Sequence, residues 1–259
     1  MEAFDELLDI MRRLREPGSG CPWDLEQNLD TIIPHTLDEV YEVVDAIEQR
    51  DYAALRGELG DLMFQVVFYC RILEEEQRFG IGEVLEALNG KLRNRHPHVF
   101  GTARIADAAA QTRAWEERKT AERAAGGQHS LMDDVPASLP ALARALKLQR
   151  RAAQAGFDWN NSRGVLGKVN EEVGELTEQL AAGDRAGSQE EFGDLLFTLL
   201  NLARHLELDA EAALRGANAK FERRFRQLEQ LAGAEQRALS EQSLEELETL
   251  WQAAKEQAG

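Results

Sequence analysis

The chain has 259 residues, enough for more than one hydrophobic core, and two domains are the starting expectation. Its formal charge of −17, from 47 acidic against 30 basic residues, excludes a surface built to track a nucleic acid polymer or to lie on an anionic membrane. With 43% apolar and 30% charged residues, the composition is that of a folded, helix-rich globular protein and not of a disordered one. A carboxylate excess also suits a hard divalent cation, which takes oxygen ligands.

In chain order, Met1 to Arg15 reads as an acidic amphipathic helix without the apolar stretch of a leader. No run of ~18 apolar residues follows anywhere, so neither export nor a membrane span is expected, and the cytoplasm is the expected location. Cys21 and Cys70 lack metal-ligand spacing and read as reduced thiols. Helical periodicity dominates, with no period-two alternation of β-branched residues, so the expected fold class is all-α. Pro17-Gly18, Pro34, Gly80, Pro97, Gly126-Gly127, Pro136, Pro140, Gly156 and Gly183 punctuate it into roughly ten helical segments. Gly126 to Ser130 and the turn at 133–136 mark a linker over 126–137, between domains at 1–125 and 138–259.

The chain is internally duplicated. Asp38-Glu39-Val40-Tyr41-Glu42 and Gly57-Glu58-Leu59-Gly60-Asp61-Leu62-Met63-Phe64 recur, displaced by 133 residues, as Glu171-Glu172-Val173-Gly174-Glu175 and Glu190-Glu191-Phe192-Gly193-Asp194-Leu195-Leu196-Phe197. Gly20-Cys21-Pro22-Trp23-Asp24 answers Gly156-Phe157-Asp158-Trp159-Asn160, Lys91 with Arg95 answers Lys220 with Arg224, and Trp115 with Lys119 answers Trp251 with Lys255. Five blocks in one order point to two tandem copies of one unit.

Each copy carries three carboxylates at i, i+1 and i+4, then a pair at i and i+3. On a helix Glu171, Glu172 and Glu175 share a ~100° arc, and Glu191 lies one turn from Asp194 on the next helix. Two antiparallel helices joined at Ala182-Gly183-Asp184 would set these groups face to face. In the first copy the stripe Val40, Val43, Val44 and Ile47 points away from Asp38 and Glu42, as on an ordinary surface helix. The helix from Phe192 to Ala203 is apolar almost all round, as a buried helix would be, with one polar stripe of Glu191, Asp194, Thr198 and Asn201. Carboxylates in such a stripe repel one another unless a cation compensates them. Several carboxylates without thiolate or imidazole exclude a typical zinc site and favour Mg²⁺ or Mn²⁺ acting on phosphates.

Lys220 and Arg224, at i and i+4, would meet the phosphates, and Lys168 stands one turn ahead of Glu172. Trp251 suits either stacking on a base or packing in a core. His96-Pro97-His98 reads as structural. Neither a GxxxxGK[ST] loop nor a GxGxxG fingerprint occurs, which argues against the usual P-loop architecture.

The pattern EExxE, a spacer, then ExxD on two helices resembles the signature of the all-α nucleoside triphosphate pyrophosphohydrolase superfamily. The chain is similar to its two-domain MazG branch over nearly its whole length, in blocks such as Gly57 to Leu62, Arg95 to Phe100 and Lys220 to Phe225. That resemblance implies hydrolysis of a nucleoside triphosphate to the monophosphate and pyrophosphate, in nucleotide-pool housecleaning or regulation. It implies Mg²⁺ on Glu172, Glu175, Glu191 and Asp194, with Glu171 helping to activate water. It further implies nucleotide contacts from Lys168, Glu190, Lys220, Arg224, Trp251 and Lys255, and a homodimer that completes the helical bundle. The first copy departs at Asp38, one methylene shorter than glutamate, so the C-terminal copy is the expected main centre. Asp38, Glu39, Glu42, Glu58, Asp61, Lys91 and Arg95 form a candidate second site. Two alternatives stand beside this reading: a non-catalytic helical dimer whose acidic clusters bind a cation or a protein, and a narrower substrate within the same superfamily.

Overall fold

A computed structural model of the protein describes residues 2–102, 104, 107, 130–234 and 238–258. The described residues are mostly helical, without a strand. The chain separates into two compact units, Met1–Lys119 and Thr120–Gly259. Residues 126–129 of the expected linker, and the Trp115 and Lys119 block, lie outside the described residues. The described part of that linker is packed: Val135 is buried, and Asp134 accepts a 2.6 Å hydrogen bond from Arg151.

The first unit contains α1 (Glu2–Leu14), α2 (Pro22–Glu26), α3 (Leu29–Glu48), α4 (Tyr52–Glu75), α5 (Ile81–Arg95) and α6 (Pro97–Phe100). α3 and α4 form an antiparallel hairpin with α1 against α4. Met11, Ile32, Val67, Phe68 and Ile72 make the core beneath it. The second unit contains α7 (Ala141–Gln154), α8 (Ser162–Ala182), α9 (Arg185–His205), α10 (Ala210–Ala234) and α11 (Leu244–Ala258). Here α8 and α9 form the hairpin, α7 packs on α9 and α10, and α11 packs on α10. No described helix is long and apolar enough to cross a membrane.

The duplication extends to the residues that start the helices. Asn28 caps α3 by accepting from the backbone of Asp30 and Thr31, while Asp51 caps α4 through Ala53 and Ala54. Their counterparts 133 positions on, Asn161 and Asp184, cap α8 and α9 in the same way. Each satisfies amide donors that the first helical turn leaves open. The hairpin turn also matches: Gly183 has φ +70° and Arg50, at the equivalent place, has φ +59°. Glycine meets that left-handed geometry without strain, whereas arginine pays a steric cost.

Three expectations need correction. Pro34 does not interrupt a helix but sits in the second turn of α3. It costs one backbone donor there, and the Asn28 capping box upstream together with α4 alongside hold the helix through it. Val40 and Ile47 are not on the buried face of α3: both are exposed, and the residues it buries are Ile32 and Ala46. Finally, α9 is not a buried helix within one chain. Phe192, Leu196 and Leu199, at i, i+4 and i+7, are 53%, 43% and 42% exposed, while Thr198 and Asn201 of the polar stripe are buried. On the inward side Asn201 accepts a 2.6 Å hydrogen bond from Arg204, and Gln149 of α7 donates to the Phe197 backbone carbonyl at 2.7 Å.

Candidate functional site

The turn at Gly183 brings α9 back along α8. Glu172 and Glu175 on α8 and Glu191 on α9 each place a carboxylate oxygen within 4.8 Å of the other two. Glu172 is only 4% exposed, whereas the side chain of Glu175 is 45% exposed. Lys168 lies against this group, its Nζ 2.6 Å from Glu171, 2.8 Å from Glu172 and 3.8 Å from Glu175. Hydrogen bonds to Glu171 and Glu172 hold the ammonium's pKa above the usual lysine range. Among the described residues, Lys168 supplies the ion pairs to these glutamates. Desolvation, followed by repulsion from Glu175, Glu172, Asp194 and Glu190, pushes the carboxyl of Glu191 upward. Asp194 is exposed and acts on Glu191 through its charge, outside the converging trio.

The N-terminal copy gathers a different trio from the same four positions: Glu39, Glu58 and Asp61. Glu42, matched to Glu175, stands outside the trio but hydrogen-bonds to Glu58. Desolvation first, then the charges of Asp61 and Glu42, raise the pKa of Glu39, with Asp38 adding to them and a hydrogen bond from Gln65 opposing them. Glu58 is raised by desolvation and then by Glu42. The position matched to Lys168 is His35, whose ring meets Trp23 edge-on at 5.5 Å.

The other expected contacts lie on α10 and α11. Trp251 is half-buried, with its ring 5.4 Å from Phe221, which stacks on Phe225 at 5.8 Å. Arg224, between those two phenylalanines in sequence, has a buried Nε without a hydrogen-bond partner. Lys220 is exposed, and Lys255 bonds to Gln252 at 3.3 Å. Glu190 is exposed beside Glu191. On α5, Lys91 is exposed and Arg95 half-buried. His96, at the end of α5, places Nδ1 2.8 Å from the Leu92 carbonyl, in keeping with a structural role.

Two features were missed from sequence. The first is the ion pairing of Lys168 with the glutamates: the spacing that sets it one turn ahead of Glu172 is in the sequence, but the lysine reads there as a phosphate contact. The second is a cavity of about 160 Å³ further along α9, lined by Phe157, Trp159, Phe197 and Asn201 among others. Beside it Asp158 binds Arg204 and His205, and the Arg204 hydrogen bond is the main cause that lowers its carboxyl pKa to about 2. Nothing local in the sequence links these residues, because they come from three separate segments.

A family profile, the MazG nucleotide pyrophosphohydrolase domain, matches residues 27–100 and again 162–228. Each match spans one of the two carboxylate trios. The chain is similar to the nucleoside triphosphate pyrophosphohydrolase of Escherichia coli (strain K12), 50% identical over 259 residues, covering 99% of this chain and 98% of that protein. It is 40% identical over 252 residues to the Thermotoga maritima nucleoside triphosphate pyrophosphohydrolase/pyrophosphatase MazG, covering 97% and 95% respectively. A nucleoside triphosphate pyrophosphohydrolase of Mycolicibacterium smegmatis is 40% identical over 158 residues, 60% of this chain and 48% of that protein.

Proposed function

The chain belongs to the MazG nucleotide pyrophosphohydrolase family of hydrolases, and we propose that it cleaves nucleoside triphosphates to the monophosphate and pyrophosphate in a Mg²⁺-dependent reaction at its C-terminal copy. The observation that carries this reading is the convergence of Glu172, Glu175 and Glu191 within 4.8 Å, beside a lysine able to meet an anion. The donor set fits the metal: the group offers carboxylate oxygens only, which suits Mg²⁺, with Mn²⁺ as a substitute. Glu172, Glu175, Glu191 and Asp194 are the proposed ligands. Bound there, the ion would neutralise charge on the phosphate oxygens and favour attack by water.

The chain's own residues do the rest. In this reading Glu171, on the same helix and outside the trio, accepts a proton from the attacking water. Lys168, Lys220 and Arg224 orient the polyphosphate and offset its charge, Arg224 through a planar fork that suits phosphate oxygens. Glu190, Trp251 and Lys255 complete the nucleotide contacts. We further propose a cytoplasmic homodimer, acting in nucleotide-pool housecleaning or regulation. The stripe of Phe192, Leu196 and Leu199 on α9, with Leu166, Val173 and Leu180 on α8, leaves apolar surface exposed on one chain, and such surface favours association. The trio of Glu39, Glu58 and Asp61 supports a second proposal, that the N-terminal copy also holds a metal ion, with Glu42 and Asp38 alongside.

The test is direct. Each ribo- and deoxyribonucleoside triphosphate is incubated with the protein in Mg²⁺ or in EDTA, and the products are separated by ion exchange. Monophosphate plus pyrophosphate, lost in EDTA, is the expected result. Diphosphate plus phosphate, or no turnover of any nucleotide, overturns the proposal.

A further inference from the structure

Lys168 stands where two roles meet. Its ammonium is 2.8 Å from Glu172 and 3.8 Å from Glu175, two of the three carboxylates that converge, and 2.6 Å from Glu171, which is outside the trio. Glu172 is buried, and a buried carboxylate without a compensating cation is costly. Lys168 supplies that compensation. A divalent cation bound to oxygens of Glu172 and Glu175 would sit against the same ammonium, and like charges at such range repel strongly in a partly desolvated site.

Resting on the metal-dependent reading above, we propose that Lys168 is the resident counter-cation of the C-terminal cluster, that Mg²⁺ enters by displacing it from Glu172 and Glu175, and that this displacement delivers the ammonium to the polyphosphate. The lysine is suited to the exchange. Its four-carbon stem is flexible and its ammonium is a compact point charge that changes partners easily. Glu171, one turn away and not among the converging ligands, accepts a 2.6 Å hydrogen bond from the ammonium and gives it a second partner beside the site. The metal and the nucleotide then assist each other. Metal entry frees the cation that the phosphates need, and the phosphates draw that cation from the oxygens that the metal needs. At the matched position the N-terminal copy carries His35, whose ring packs against Trp23, in place of a lysine.

The inference is tested on the full chain by Mn²⁺ titration, reading free Mn²⁺ by electron paramagnetic resonance. A Glu58→Gln/Asp61→Asn background removes the N-terminal trio from the measurement. Without nucleotide, Lys168→Met is expected to bind Mn²⁺ about tenfold more tightly, within the usual range of coupling between two sites. Lys168→Arg, which keeps the charge, should stay close to the parent. With an α,β-methylene triphosphate analogue present, the gap between parent and Lys168→Met should narrow. Circular dichroism checks the helices, and Lys168→Gln makes the same charge change should methionine disturb α8. Unchanged or weaker Mn²⁺ binding in the neutral variants overturns the displacement. Absence of Mn²⁺ binding in parent and variants alike overturns instead the metal site on which the inference rests.

Discussion

Where the N-terminal copy buries Phe68, edge-on to Phe64 and beneath the Arg15 guanidinium, the C-terminal copy buries Asn201, hydrogen-bonded to Arg204. These are equivalent positions of the duplicated hairpin, and the contrast extends around them. The first unit's core is Met11, Ile32, Val67, Phe68 and Ile72. The second buries Gln149, Arg151, Glu172, Thr198 and Asn201 among smaller or fewer apolar groups such as Val165, Leu200, Leu228 and Ala232. The electrostatic problem posed by the carboxylates is also met in two ways. Lys168 compensates them in the C-terminal copy. In the N-terminal copy His35 faces Trp23 instead, and the carboxyl pKa values of Glu39 and Glu58 are both driven upward, as that of Glu191 is in the C-terminal copy. Both units bury polar groups, Arg15, Asp24 and Gln65 in the first and Gln149, Arg151, Glu172, Thr198 and Asn201 in the second, but the position that fills the first core with Phe68 holds Asn201, beside a cavity, in the second. Polar groups held in a low-dielectric setting cost stability unless each finds a partner.

The sharpest way to break this comparison is to remove matched carboxylates from each copy. Glu175→Ala or Asp194→Ala should lower turnover by about 10²–10³-fold or more, with helix content by circular dichroism retained. Glu42→Ala and Asp61→Ala, their counterparts, should leave turnover nearly unchanged. Activity that survives in both C-terminal variants would put the chemistry elsewhere.

A smaller but still large effect separates the two cores. Phe68→Ala should cost the first unit about 3–5 kcal/mol, the usual range for emptying a buried aromatic site. Asn201→Ala should cost the second only about 1–2 kcal/mol, the worth of its hydrogen bonds. Urea unfolding followed separately in the two units would measure both, and the reverse order would remove the distinction drawn between them. The smallest effect lies at the hairpin turns. Arg50→Gly relieves a left-handed residue and should raise the urea midpoint of the first unit, by about 1 kcal/mol in stability. Gly183→Arg should move the second unit the other way. Equal midpoints before and after would show that the turn stores no strain.

Much of this was legible in the sequence because it depends on local spacing. A helix repeats every 3.6 residues wherever it sits. Hence Glu171, Glu172 and Glu175 could be assigned to one face, and the 133-residue displacement could be read before any packing was known. The helix caps Asn28, Asp51, Asn161 and Asp184 are equally local. The errors came where composition was taken for burial. The apolar run from Phe192 to Ala203 suggested a buried helix, yet hydrophobicity alone does not say whether the covering surface belongs to the same chain. Val40 and Ile47 misled for the same reason.

By itself, then, the sequence determined the helical class, the duplication and which side chains could share a face, because each follows from short-range geometry along one chain. Only the tertiary structure decided which three of four matched carboxylates converge in each copy, that Lys168 rather than a distant cation compensates the C-terminal set, and that Asn201 borders a cavity where Phe68 fills a core. Those outcomes turn on the register between α8 and α9, and between α3 and α4, and on side-chain rotamers that place oxygens within a few ångströms. Such distances are set by packing between segments far apart in the chain, where no local periodicity reaches.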